Sequence, residues 1–128
     1  MSALFPAFDQ PLPSSDNFNG RSLSDNLEKL DSFAASLNLT TLSKFIDAYS
    51  MALEYLGDES LLPPNCPPEA WYTPQEGFAT VSGLLHYIES HSDLLLESIT
   101  SVIVDLENLS ALLHKAMETA IRFHLLVD

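Results

Sequence analysis

Proline placement constrains the fold of this chain more than any other feature of its sequence. The eight prolines fall in two zones and are Pro6, Pro11, Pro13, Pro63, Pro64, Pro67, Pro68 and Pro74. A proline in a helix interior costs about 3 kcal/mol, because it lacks the N–H that the helix needs and its ring collides with the preceding turn. Long helices are therefore confined to two proline-free stretches, residues 14–62 and the residues after 74.

The first 21 residues predict an irregular segment that precedes a single helical domain over residues 22–128. Prolines and a run of Ser, Asp, Asn and Gly interrupt any regular pattern in this segment. Its large apolar residues include Leu4, Phe5, Phe8 and Phe18. We therefore expect the segment to dock on the helices, with a disordered tail as the alternative.

Apolar spacing predicts two helices in the first proline-free stretch. One apolar stripe repeats every three or four residues between Ser22 and Asn38. A second stripe follows a cap at Thr40 or Thr41 and stops at Gly57. Each stripe is long enough for a helix of several turns.

The chain after the proline-rich loop predicts two more helices. Thr73 and Glu76 have the spacing of a capping box, with Pro74 at the first helical position, where no N–H is needed. This third helix ends near Ser90. Beyond it, ten apolar positions from Leu95 to Val127 alternate spacings of four and three over 33 residues. That pattern predicts a long C-terminal helix, or two collinear ones.

These patterns together predict an all-α fold, a four-helix bundle with a long C-terminal helix and an irregular N-terminal segment. A helix of about 35 residues spans roughly 50 Å, which exceeds the roughly 36 Å diameter of a compact chain of this length. Near its end, Ile121, Leu125 and Leu126 add apolar surface that must be covered. The N-terminal segment or a second copy of the chain could cover it, so a homodimer is one predicted state.

The charge balance narrows the choice of partner. Five Lys and Arg residues stand against eighteen Asp and Glu residues, which gives a formal net charge of −13. This charge disfavours nucleic acids and anionic membranes, because both bind through clustered basic residues. It is typical of a protein that charge keeps soluble or steers toward a basic partner. We expect a cytoplasmic location, since the sequence has neither a signal-like basic start nor a long apolar stretch.

The sequence offers little support for catalysis, and we expect no enzyme, cofactor or metal. Cys66, the single thiol, lies in an acidic, proline-rich loop that disfavours a reactive thiolate. No glycine-rich phosphate loop or serine-hydrolase motif occurs. His86 and Glu89 lie three residues apart on one predicted helix face, a spacing too common to indicate a metal site by itself.

The leading hypothesis is a small non-enzymatic protein of regulatory or accessory type that acts by protein–protein interaction. An inhibitor or immunity protein for a basic partner fits the charge. The predicted interaction surface consists of Trp71, Tyr72, Ile121, Leu125 and Leu126. Aromatic residues beside a rigid loop are frequent binding hot spots, although a loop pinned to its own core is the more common arrangement. The alternative hypothesis is a ligand- or metal-binding bundle with a cavity near His86 and Tyr87.

Overall fold

The fold is mixed, with five helices and a two-stranded sheet in the parts of the chain that the structure describes. A computed structural model describes residues 3–12, 18–64, 68–91 and 99–127. In chain order the elements are β1 (Leu4–Phe8), α1 (Arg21–Asp25), α2 (Leu27–Ser36), α3 (Ala48–Leu56), α4 (Pro74–Ser90), α5 (Ile99–Thr119) and β2 (Phe123–Val127). Single 3₁₀ turns, Leu42–Phe45 and Glu59–Leu61, flank α3. The prediction of an all-α four-helix bundle is therefore wrong.

The sheet brings together the two ends of the chain. β1 pairs antiparallel with β2 in a register that sets Leu4 opposite Val127. On its other side β2 forms isolated bridges with Ile46 and Tyr72. The segment expected to be irregular thus contains a strand, and β2 runs between backbone partners on both of its edges.

The C-terminal helix ends earlier than its apolar period predicts. The chain turns at Ala120, whose φ is 55°. The N–H of Ile121 then donates to the carbonyl of Ala116 at 3.0 Å, the six-residue bond of a Schellman helix end. The prediction of one helix reaching Val127 is therefore wrong. Phe123, His124 and Leu125 are all buried, so both faces of β2 are covered and its sequence lacks the apolar–polar alternation that would indicate a strand. The predicted start at Leu95 lies outside the described residues.

The capping box predicted for the third helix is confirmed at the start of α4. The hydroxyl of Thr73 accepts from the N–H of Glu76, and the Glu76 carboxylate accepts from the N–H of Thr73. α4 ends at Ser90, as the sequence predicts.

The first two predicted helices are shorter or divided. Asn26 separates α1 from α2, and Asn38, at φ 60°, terminates the second of them. The cap predicted at Thr40 or Thr41 precedes the 3₁₀ turn Leu42–Phe45, and α3 begins only after Asp47, which caps it instead. Gly57 ends it with φ 73°, in the left-handed conformation that favours glycine.

The hydrophobic core lies between α4, α5, the sheet and α2. α4 and α5 form the most extensive contact between elements. Leu4 of β1 is fully buried, so the N-terminal segment docks as expected. Ile121 and Leu125 are also buried, and Leu12 packs in the same cluster as Ile121. The chain's own N-terminal segment therefore covers the apolar surface that suggested a homodimer, and the homodimer stays a prediction.

No helix within the described ranges has the length and apolar character needed to cross a membrane.

Candidate interaction surface

α3 is an apolar helix that lies outside the hydrophobic core. Its sequence is Ala-Tyr-Ser-Met-Ala-Leu-Glu-Tyr-Leu. None of its described side chains belongs to either cluster of buried residues or packs against one. Each side chain of α3 whose exposure is defined is at least partly open to solvent. An apolar helix face is ordinarily buried against another element, so the covering of α3 is incomplete.

The exposed face of α3 continues into the following 3₁₀ turn. Ala48, Ala52 and Tyr55 share one helix face by their spacing of four and three. Tyr55 is 89% exposed, and Leu61 in the turn that contacts α3 is 59% exposed. These are the two most exposed large apolar side chains in the described part of the chain. We call Ala48, Ala52, Tyr55 and Leu61 the α3 surface.

Acidic residues lie at both ends of α3: Asp58 and Glu59 follow the helix, and Glu69 accepts a hydrogen bond from Ser50 in its first turn. Asp58, Glu59 and Glu69 are all exposed. Hydrogen bonds from the backbone N–H and the hydroxyl of Ser60 lower the pKa of Asp58, so this carboxylate is charged at neutral pH. The sequence has no Lys or Arg between Lys44 and Lys115. The region around α3 therefore carries negative charge without a basic residue from its own stretch of sequence.

A buried polar cluster anchors the N-terminal end of α3. Asp47 and His124 are each 2% exposed. Asp47 accepts hydrogen bonds from the N–H of Ser50 and the N–H of Ala70, both at 2.9 Å. Nδ1 of His124 donates to the Ala70 carbonyl at 2.8 Å, and the Trp71 ring stacks on the imidazole at 4.0 Å. The cluster joins α3, β2 and the loop before α4, and we call it the α3 anchor.

Hydrogen bonding decides the charge of Asp47. Burial alone would raise the pKa of this carboxyl group. Hydrogen bonds from the Ser50 side chain and from the backbone N–H groups of Ala70 and Ser50, with the nearby His124, outweigh that effect and lower the pKa below its ordinary value. Asp47 is therefore ionised at neutral pH and caps α3 as a carboxylate.

The α3 anchor contains three side chains whose spacing could surround a metal ion. Asp47, Glu69 and His124 each place one potential ligand atom within 4.8 Å of the others. Both oxygens of Asp47 already accept hydrogen bonds. Nδ1 of His124 donates to the Ala70 carbonyl, so this ring could bind a metal only through Nε2. The observed hydrogen bonds satisfy the buried groups of the cluster as a structural anchor.

The aromatic part of the predicted interaction surface is tied to the chain's own interior. Trp71 and Tyr72 are half-buried. Trp71 stacks on His124, and the ring of Tyr72 meets Phe45 edge-on at 5.3 Å. The N–H of Tyr72 also donates to the carbonyl of Phe123 at 2.8 Å. These contacts fasten the loop to the chain's own core, and the role of Trp71 and Tyr72 in binding a partner stays a prediction.

The aliphatic part of that surface is mostly covered. Ile121 is 6% exposed and Leu125 1%, so both lie in the interior of this fold. Leu126 is half-buried on β2. Apolar periodicity alone does not predict the α3 surface, because an apolar helical stripe indicates burial without indicating what buries it. The acidic residues that follow Gly57 do indicate that this end of the helix faces solvent.

The remaining candidate residues have separate surroundings. His86 and Glu89 are exposed on α4. Tyr87 is half-buried, packs against Phe33 and stacks on His91 at 4.2 Å. The structure therefore does not place His86 and Tyr87 in the same surroundings. Cys66 lies outside the described residues.

Comparisons with protein-family models, with curated protein sequences and with solved structures find no match to this chain.

Proposed function

We propose that this protein is a non-enzymatic regulatory or accessory protein that binds another protein through the α3 surface. One observation carries the proposal, namely that α3 is apolar and yet contributes nothing to the core among its described side chains. Exposed Tyr55 and Leu61 would gain from burial by a partner, and large side chains of this kind often dominate the energy of an interface.

The negative charge beside the α3 surface favours a partner other than a second copy. In a two-fold symmetric dimer the same patch faces itself across the interface. Contact through the α3 surface would then bring Asp58 and Glu59, which follow α3 and precede Leu61, near the same residues of the second copy, and like charges across an interface are unfavourable. The proposed partner is therefore a different protein. One such partner would be a target that this protein inhibits or neutralises.

The ligand- or metal-binding alternative has less support. His86 is exposed and apart from the environment of Tyr87, and the hydrogen bonds of Asp47 and His124 account for the burial of both residues without a ligand. A cytoplasmic location stays part of the proposal, and fluorescence microscopy of the tagged full chain tests it.

Site-specific photo-crosslinking in the native cells tests the proposal. A photoreactive phenylalanine analogue replaces Tyr55 in one variant and Val104 in a control. Val104 is 48% exposed on α5 and so reports contacts of a different exposed position. We expect a discrete adduct with one other protein from position 55 and none from position 104.

Binding of that protein to purified variants completes the test. Tyr55→Ala and Leu61→Ser should each weaken binding about tenfold or more, because truncation of an interface hot spot costs on the order of 2 kcal/mol. Val104→Ala should leave binding unchanged, and all three variants should keep the unfolding temperature of the parent chain. Identical adducts from both positions, no adduct at all, or adducts formed solely between copies of this chain would overturn the proposal.

A further inference from the structure

We infer that the cleft between α1 and α5 binds a small molecule that carries both an ammonium and a carboxylate group, which is the chemistry of a free amino acid. This cleft is a different place from the cavity predicted near His86 and Tyr87, and none of its lining residues belongs to the α3 surface. The inference therefore goes beyond the proposed function and does not depend on it.

The cleft has the size of a small-molecule site. Its volume is about 360 Å³, which lies at the lower end of the range for ligand pockets and equals the volume of roughly a dozen waters in the liquid. Residues 19–25 line one side of the cleft and residues 100–108 of α5 line the other. Ser101, Asp105 and Asn108 share one face of α5 by their spacing of four and three. The cleft is thus concave and mostly polar, with room for a molecule the size of an amino acid.

Asp105 is a buried carboxylate at the floor of this cleft with little to balance its charge. It is 5% exposed, and its Oδ2 accepts a hydrogen bond from the hydroxyl of Ser22 at 2.6 Å. Asp105 makes no other hydrogen bond and no ion pair with the described residues. Every fully buried side-chain oxygen in the same residues has a hydrogen-bond partner. Oδ1 is therefore the oxygen through which Asp105 opens to the cleft.

An acceptor in this position favours a ligand with a positive group. A buried carboxylate is costly unless a cation or several hydrogen-bond donors offset its charge. An ammonium group provides both, because it is charged and carries three N–H donors. The exposed carboxylate of Asp25 lines the same cleft and adds to the attraction. A ligand without a positive group would leave the charge of Asp105 uncompensated.

Arg21 brings a positive group to the same cleft. Its side chain is exposed and forms no ion pair within the described part of the chain. A guanidinium presents paired N–H donors that match the two oxygens of a carboxylate. A simple amine would be repelled by Arg21, and a simple acid would be repelled by Asp105. A ligand that carries both groups suits both residues, and its zero net charge spares it repulsion by a chain of charge −13.

Binding of free amino acids to the full chain tests the inference. The common L-amino acids are added in small pools to isotope-labelled protein and followed by NMR. We expect one of them to shift the resonances of residues 100–108 in a saturable way, with a Kd of about 1 mM or lower. The deaminated analogue of that amino acid should bind at least about tenfold more weakly, because it lacks the group that meets Asp105. The decarboxylated analogue should bind about threefold to tenfold more weakly, because Arg21 is exposed.

Three variants assign the effect to particular groups. Asp105→Asn keeps an acceptor for Ser22 but removes the charge, so it should weaken binding of the amino acid at least about tenfold. Since this change also removes a buried charge, the unfolding temperature without ligand should equal or exceed that of the parent chain. Arg21→Gln should weaken binding of the amino acid about threefold to tenfold without weakening binding of the decarboxylated analogue. Glu107→Gln removes an exposed charge of α5 outside this cleft and should bind as the parent chain does.

Every other result counts against the inference. No saturable binding of any amino acid would overturn it, and so would binding that survives Asp105→Asn. A fall in the unfolding temperature of Asp105→Asn would show that this carboxylate holds the fold together instead of a ligand. Equal losses from Arg21→Gln for the amino acid and its decarboxylated analogue would remove the role given to the ligand carboxylate. None of these results affects the α3 surface, which the photo-crosslinking tests separately.

Discussion

At the scale of single residues, Asp47 shows how much one buried carboxylate can organise. It caps α3 through the N–H of Ser50 and holds the loop before α4 through the N–H of Ala70. It also lies 3.9 Å from Nδ1 of His124 on β2. A buried carboxylate is costly without such partners, so the loss of any one contact would also destabilise the attachment of the other elements.

The pH dependence of stability should report Asp47. Its pKa is lower in the folded chain than the unfolded value of about 3.9, so its stabilising effect is present above that value and is lost as pH falls through the folded pKa. We expect Asp47→Asn to lower the free energy of unfolding by about 1–2 kcal/mol at pH 7. The difference from the parent chain should shrink below about pH 4.

Urea unfolding at a series of pH values measures this difference. Glu107→Gln, which removes one exposed negative charge on α5, is the control and should not show the same loss. A difference between the parent chain and Asp47→Asn that stays constant down to about pH 2 would contradict the assignment.

Two glycines of α4 should respond oppositely to the same substitution. A Cβ atom at Gly77 would lie 2.4 Å from the ring of Phe123, which is 1% exposed and has no room to move. A Cβ atom at Gly83 would meet the far end of the half-buried Leu39 side chain at 2.5 Å, and that group can rotate away. Gly77→Ala should therefore cost about 1–3 kcal/mol through overpacking.

Gly83→Ala should be neutral or stabilising by up to about 1 kcal/mol, because alanine favours the helix. Thermal unfolding of the two variants side by side measures the contrast. Equal effects would mean that the contact of Gly77 with Phe123 does not limit the approach of α4 to β2.

At the scale of elements, the strand pairing explains how β1 tolerates a proline. The N–H of Asp9 donates to the carbonyl of Arg122 at 3.0 Å, so this pair is a hydrogen-bonded one. Pairs alternate along an antiparallel ladder, which places Pro6, three residues away, at a position whose N–H would point away from β2. A proline on that outer edge costs no ladder bond and blocks pairing with another chain.

The turn that ends α5 should improve with glycine. Ala120 adopts φ 55°, a left-handed conformation that costs a residue with a Cβ atom roughly 1 kcal/mol. Ala120→Gly should therefore raise the free energy of unfolding by about 0.5–1 kcal/mol, after allowance for the flexibility of glycine in the unfolded chain. The same substitution at Ala111, exposed within α5, should lower it by about 1 kcal/mol.

Chemical denaturation of these two variants gives the comparison. If Ala120→Gly destabilised the chain as much as Ala111→Gly, the left-handed turn between α5 and β2 would be contradicted.

At the scale of the whole molecule, the charge of −13 should make the stability of the fold depend on salt. Self-repulsion opposes the compact state, so screening it should raise stability. We expect the unfolding temperature to increase by a few degrees between about 20 mM and about 500 mM sodium chloride.

Differential scanning calorimetry at these salt concentrations checks this expectation. A fall in unfolding temperature with salt would show that favourable ion pairs outweigh the self-repulsion.

Local signals in the sequence were enough to determine several helix ends. The capping box of Thr73 and Glu76 and the stops at Asn38 and Gly57 depend on hydrogen bonds or backbone preferences within a few residues. The high negative charge follows from residue types alone. The large apolar residues of the N-terminal segment indicate that it docks, as Leu4 does, without indicating on which distant segment.

Only the tertiary structure decided that the last apolar residues form β2 and that α3 lies outside the core. Asp9 and Arg122, which close the sheet, are 113 residues apart in sequence. Apolar periodicity records that a side chain needs covering, but it does not record what covers it. In β2 the core cluster that includes Leu4 covers Phe123 and Leu125 on one face, and Trp71 covers His124 on the other. The described part of the chain leaves α3 partly exposed. Which elements pair and pack together depends on the fold as a whole, so the sequence of α3 alone could not indicate this.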